Sequence, residues 1–241
     1  MLRPMGVKIQ TTLEGRVLRV KLDDGKANTM ESNWVREMHA ALDEAEKNAG
    51  AVLLEGREGR FNAGLDLKVL PSLGREALKT FVRDYQRCIL RIFTFKKPVV
   101  CAISGHAVAG GAILALASDR RIMSEGDFQI GLREVAIGIP LPTFGCELAR
   151  SVLPASSITG AVLRGQLYAP NDALRVGMVD RVESPAEFTK AALEEANDMA
   201  RLPDIAFATT KATMRLPHAR IIEAAEDGDL DALTRSIPAA P

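Results

Sequence analysis

The stretch Pro98-Val99-Val100-Cys101-Ala102-Ile103-Ser104-Gly105-His106-Ala107-Val108-Ala109-Gly110-Gly111-Ala112-Ile113-Leu114-Ala115-Leu116-Ala117 decides the fold. Residues 98–103 are apolar and rich in β-branched side chains. They read as a buried strand, stopped by Ser104-Gly105. Residues 109–117 are small and apolar throughout, which suits a buried helix packed closely on other backbone. Arg120 to Met123 reads as another strand. Between strand and helix, residues 105–112 set two adjacent glycines near a helix start. Free amide N–H groups at such a start carry partial positive charge and attract anions. Glycine lets a ligand approach them without a Cβ in the way. Plain strand–helix packing through small residues accounts for the same composition, and the residues alone leave both explanations open.

The alternation continues on either side. Val17–Leu22 reads as a strand with one buried face, ended by the turn Asp23-Asp24-Gly25. Glu31 to Asn48 carries Val35, Met38, Leu42 and Ala45 at helical spacing. Ala51–Leu54 is a short buried strand, Gly56 to Asn62 a loop. A second helix runs from about Glu76 to Phe93, with Ala77, Phe81, Tyr85, Cys88, Ile89 and Ile92 as its stripe. This is the pattern of an α/β fold. Beyond Pro140 the pattern is helical: 144–152, 157–163, 171–176, 186–201, 204–214 and 219–233, interrupted by a strand at 178–182. The tail Pro238-Ala239-Ala240-Pro241 is expected to fray.

The 241 residues hold 31 Lys+Arg and 31 Asp+Glu, with 47% apolar residues, the balance of a globular chain. Zero formal net charge and no basic run give no reason to expect nucleic acid or a membrane surface as partner. Cys88, Cys101 and Cys146 form no C-x-x-C pair, so no disulfide framework or thiol zinc site is expected. Cys88 and Cys101 read as small core residues. The start, residues 1–6, lacks the apolar stretch of a signal peptide, and the weakly polar run 107–117 is too short to span a bilayer. A reducing, cytoplasmic setting is the expectation.

No nucleophile elbow, phosphate loop, dinucleotide fingerprint or H-E-x-x-H helix occurs. Asp227-x-Asp229-x-Asp231 opens like a calcium loop, but Ala232 stands where the turn glycine belongs and Pro238 where the bidentate Glu belongs. His39 and His218 read as surface positions. His106, between a strand end and a helix, reads as pocket-lining more readily than as a base.

Phe61-Asn62-Ala63-Gly64-Leu65-Asp66-Leu67 is a second segment built to place amides: a small residue and a glycine, then an apolar helical turn. With Lys26-Ala27-Asn28, residues 97–111, Ser118-Asp119-Arg120-Arg121-Ile122 and Glu134-Val135-Ala136-Ile137-Gly138-Ile139-Pro140, in this order, it resembles the crotonase superfamily of enoyl-CoA hydratases and isomerases. The resemblance covers about Val17 to Val182. It implies a ββα spiral over 1–185 and a C-terminal helical oligomerisation region over 186–241, with trimers or dimers of trimers. It also implies an acyl-CoA thioester substrate, with CoA as part of the substrate and no separate cofactor or metal. By motif position the oxyanion hole would be the backbone N–H groups of Ala63 and Gly110. Two preset donors hold an enolate oxygen, and one such donor is typically worth about 10²–10³ in rate. The backbone around Lys26-Ala27 and Asp66-Leu67 would contact the adenine end of CoA.

Hydratases of this family usually carry one Glu three residues after the oxyanion glycine and a second in the later segment. Here those places hold Ile113 and Glu134. An aliphatic side chain cannot activate water, whereas one carboxylate suffices to move a proton from C2 to C4 of a 3-enoyl thioester. The expected reaction is therefore isomerisation, with Glu134 as proton shuttle and Ile113, Leu65, Ile137 and Leu141 lining the acyl pocket. Such a wall should raise the carboxyl's pKa unless Arg133 turns inward. The alternatives are a hydratase, decarboxylase or thioester hydrolase pairing Glu134 with His106, and a non-catalytic acyl-CoA-binding protein.

Overall fold

Ala51–Glu55 and Val99–Ile103 bury apolar side chains on both faces, and a sheet of that kind must be covered on both sides. The computed structural model of the chain describes residues 8–66 and 73–236. Leu67, the N-terminal residues 1–6 and the tail from Pro238 lie outside the described residues. The described chain opens with an antiparallel hairpin, β1 (Ile9–Glu14) and β2 (Val17–Leu22), then α1 (Ser32–Asn48). Three ββα turns follow: β3 (Ala51–Glu55), β4 (Gly59–Asn62) and α2 (Arg75–Phe93); β5 (Val99–Ile103), β6 (Gly105–Val108) and α3 (Gly110–Ala117); β7 (Arg120–Ser124), β8 (Ile130–Gly131) and α4 (Thr143–Val152). α5 (Ala155–Ile158), α6 (Pro170–Arg175), β9 (Arg181–Glu183), α7 (Pro185–Met199) and α8 (Asp204–Ser236) complete it.

The first strand of each turn joins a six-stranded sheet of order β1-β2-β3-β5-β7-β9, parallel beyond β2. The second strands form a parallel sheet, β4-β6-β8. Alternation splits the large sheet cleanly. Leu18, Val20, Val52, Leu54, Cys101 and Ile103 face the main core with α1 and α2. Val17, Ala51, Leu53, Val100, Ala102 and Ile122 face Phe188, Ala192 and Ala196 of α7. α3 forms because every one of its residues is small or apolar and wholly enclosed, and burial outweighs its modest length.

The expected α/β spiral is present, with several local corrections. Residues 59–62 and 105–108 are strands, not loop and turn. Four-residue strands holding Gly and Arg or His carry no periodicity of their own, and they form because they pair with each other. β1 and β8 lie outside the strands expected from the sequence. The stripe of α2 begins at Leu78, with Ala77 exposed. The helix expected over 157–163 is α5 running into a π-helical turn, Thr159–Leu163. The strand expected over 178–182 is shifted to β9, and Met178 and Val179 are buried outside it.

The two helices expected over 204–214 and 219–233 are one, with Pro217 inside it. Proline removes one backbone donor and disfavours a helix interior by about 3 kcal/mol. Contacts on both sides outweigh this. Before it, Arg215 donates to the carbonyls of Phe93 (2.6 Å) and Ala117 (3.0 Å), at the ends of α2 and α3. After it, Ala219, Ile222, Leu230 and Leu233 are buried. His218 is not a free surface residue: its Nδ1 lies 2.8 Å from the buried carboxylate of Glu147 on α4. His39 is half-buried beside Arg91.

Candidate active site

The corners where the ββα turns pass from strand to helix meet at one apolar pocket. At the first corner, Asn28 anchors the approach: its side-chain amide donates to the carbonyls of Leu22 (2.9 Å) and Phe61 (3.1 Å), with its own φ at +54°. Asn62 donates back to the Asn28 carbonyl and accepts from Gly64 N–H at 2.8 Å. At the second corner, Ala109 takes φ +52°, a region costly for a residue with a Cβ, by about 1–3 kcal/mol. Its N–H donates to Gly131 O at 2.9 Å, and the bend turns β6 directly into α3 at Gly110.

The two corners abut. A Cβ at Gly64, whose φ is +83°, would fall 2.7 Å from the Gly110 nitrogen. A Cβ at Gly110 would fall 2.9 Å from Gly64 Cα and 3.0 Å from the Tyr85 hydroxyl oxygen. Ala63, Leu65, Ala109, Gly110 and Ile113 line the pocket with Val82, Tyr85, Glu134, Ile137, Ile139, Pro142 and Phe144, and Leu233 of α8 contributes to its wall. Leu141 packs against the core but is not among the lining residues.

The structure corrects one expected donor. Ala63 N–H donates to Ala27 O at 3.2 Å and is therefore occupied in holding the two loops together. Leu65 N–H, two residues on, has no acceptor among the described residues. Gly110 is the first residue of α3, where amides have no intrahelical acceptor. The free amides flanking the Gly64–Gly110 contact are thus those of Leu65 and Gly110.

Glu134 stands at the third corner, just before the 3₁₀ turn Val135–Ile137. Its carbonyl accepts from Ile137 N–H (3.1 Å) and Ile139 N–H (2.9 Å), which fixes the backbone. Its side chain is 9% exposed, and Oε2 has no partner among the described residues. Burial raises its carboxyl from 4.5 to about 7, slightly offset by its own backbone N–H. Arg133 does not oppose this: its guanidinium turns to the Gly165 carbonyl at 3.2 Å. Ile113, 3% exposed, shares the pocket with Glu134. Tyr85, which reads from sequence as a core position of α2, also borders it with an unpartnered hydroxyl. The available signal was a phenol within an apolar stripe, since a buried hydroxyl normally needs a partner.

Lys26, Ala27, Arg57, Arg60, Ala63, His106 and Val108 line a second, polar cavity. Ala63 belongs to both, so the apolar pocket and the basic cavity are neighbours across it. Arg57 donates to the Lys26 carbonyl at 2.9 Å. His106 Nδ1 accepts from Gln129 N–H at 3.2 Å, and its ring meets Phe128 edge-on at 5.7 Å. It lines the basic cavity and not the Glu134 pocket, so the structure does not bring the two together. Asp66 borders a third cavity with Met30 and Phe81.

The family model described as Enoyl-CoA hydratase/isomerase matches residues 12–237. The chain belongs to the enoyl-CoA hydratase/isomerase family. Within that family it is similar to proteins with different named reactions. An enoyl-CoA hydratase structure from Mycobacterium ulcerans superposes with a TM-score of 0.88 at 30% identity, over 94% of this chain and 99% of that one. The human mitochondrial delta3-delta2-enoyl-CoA isomerase gives 0.91 at 26% identity, over 96% and 92%. A carnitinyl-CoA dehydratase of Salmonella heidelberg is 30% identical over 88% of this chain and 81% of its own length. Family membership implies an acyl-CoA substrate. Among the described residues, no helix is long and apolar enough to cross a membrane, and no cluster of three His, Cys, Asp or Glu side chains could hold a metal ion.

Proposed function

We propose that this enzyme is an enoyl-CoA isomerase that moves a double bond from position 3 to position 2 of an acyl-CoA thioester. One observation carries the reading: Glu134 is the one carboxylate among the described lining residues, and Ile113 occupies the place where the family's hydratases usually hold another. The thioester carbonyl accepts from the Leu65 and Gly110 amides. Glu134 takes a proton from C2, the negative charge moves to the carbonyl oxygen, and the proton returns at C4 as the double bond forms between C2 and C3. A base with a pKa near the working pH suits both transfers. The basic cavity across Ala63 supports CoA binding, with Lys26 and Ala27 on its wall and the Arg57 and Arg60 guanidiniums available to phosphate oxygens. Asp66 remains assigned to CoA contact by resemblance alone.

Glu134→Gln tests the base. Incubating a 3-enoyl-CoA in D₂O, followed by mass and absorbance, reports isomerisation and exchange together. The variant should lose about 10²–10⁴ in both while still binding the thioester. A wild type that hydrates 2-enoyl-CoA efficiently would overturn the isomerase reading. One that only binds acyl-CoA would favour a binding protein.

The C-terminal region from 186 onward is assigned to self-association. Ile205, Met214, Leu216 and Ile221 of α8 are exposed, a surface that a symmetric trimer or dimer of trimers would cover. Light scattering at micromolar concentration should give a multiple of three protomers, and a monomer would refute the assignment.

A further inference from the structure

Among the described residues that line the reaction pocket, two side chains carry a buried polar atom without a partner: Glu134 through Oε2 and Tyr85 through its hydroxyl. The proposed reaction gives Glu134 its task and leaves Tyr85 without one. Tyr85 is 1% exposed on α2, and its ring is held edge-on against Phe144 at 5.9 Å. An unsatisfied buried hydroxyl is destabilising, so natural cores seldom keep one that nothing uses. Its place is specific: a Cβ at Gly110 would stand 3.0 Å from the oxygen, so the hydroxyl and the start of α3 border the same space, and glycine leaves it open. The titratable groups acting on it are Glu134 and Cys88; with burial they keep the phenol protonated, hence a donor, throughout the working pH range. Tyr85 and Glu134 do not bond to each other, and such a bond would weaken the base.

We propose that the Tyr85 hydroxyl donates a third hydrogen bond to the thioester carbonyl oxygen, beside the amides of Leu65 and Gly110. This rests on the acyl-CoA reading of the pocket. The hydroxyl has no partner among the described residues; the substrate's oxygen would accept from it, and more strongly as negative charge develops there. The bond therefore acts on the transition state more than on binding.

Tyr85→Phe removes the hydroxyl and nothing else. The variant should be as stable as the wild type or more so, with kcat reduced about 10- to 100-fold and KM changed by much less. Hexanoyl-CoA labelled with ¹³C at the carbonyl serves as an infrared probe. Its bound carbonyl band should lie at higher frequency in the variant than in the wild type, because one donor is gone. An unmoved band overturns the proposal whatever happens to kcat. So does a variant that loses stability, since the hydroxyl would then have a structural partner, and so does a wild type that fails to bind hexanoyl-CoA. A wild type that binds the probe but does not isomerise 3-enoyl-CoA overturns the isomerase reading and leaves the infrared comparison intact.

Discussion

Two of the places where the enzyme buries polar groups treat them in opposite ways. Asp119 gathers two buried cations onto one carboxylate. Its carboxylate takes Lys211 Nζ at 2.7 Å, Arg215 Nη2 at 3.0 Å and the backbone N–H of Val99 at 2.8 Å. Burial pulls Lys211 down to about 8 even so, with Asp119 restoring part of the loss. In the reaction pocket, by contrast, Glu134 Oε2 and the Tyr85 hydroxyl have no partner among the described residues. The first cluster ties α8 to the ends of α2 and α3. The second leaves its polar atoms for an occupant. Trp34 Nε1, Gln86 Oε1 and Arg121 Nε also lack a partner among the described residues, so it is the place of Glu134 and Tyr85 on the pocket wall, and not the missing partner alone, that marks a site.

The contrast is testable through stability. Asp119→Asn strands two buried cations and should destabilise the fold by about 3–5 kcal/mol in urea titration. Removing the charge of Glu134 should act the other way. Its carboxyl titrates at about 7 when folded against 4.5 for an unperturbed glutamate, so the folded state holds the proton more tightly. Wild-type stability therefore falls as pH rises from about 4.5 to 7 and is level above that. Glu134→Gln should escape this fall, gaining on the wild type by roughly 2–4 kcal/mol between pH 4 and pH 8. A parallel loss in both proteins would mean that Glu134 is not the group responsible. The mildest test uses no variant. In the proposed reaction the base is the Glu134 carboxylate, so kcat/KM should rise with pH to a plateau, with a midpoint near 7. A midpoint near 4.5 would show that substrate-free Glu134 is solvated.

Local periodicity made much of this legible. The apolar run of β5 and the small-residue run of α3 each announce themselves within a few residues, and together they define the central turn. β4 and β6 could not be read that way, because Gly59 meets Gly105 only after a long loop of chain has folded back. The helix of 204–236 could not be read as one, because distant contacts such as Arg215 with Phe93 hold it together across Pro217. Glu134 and Gly110 stand out by motif. The choice between the Ala63 and Leu65 amides does not, because it depends on where Ala27 places its carbonyl. Tyr85 fits the apolar stripe of α2, and nothing in that periodicity marks its hydroxyl as facing a pocket.

The spiral also divides labour along the chain. Its first turn supplies Leu65, its second Gly110 and its third Glu134. The turns stack through parallel strand pairing and one shared apolar core, and each brings a different group to a common centre. On the proposed function, a change at 113 or 134 would alter what happens to the acyl carbon while the Leu65 and Gly110 amides stay as they are. Such an arrangement separates the holding of a substrate from the choice of its fate, and lets the second be revised at single positions.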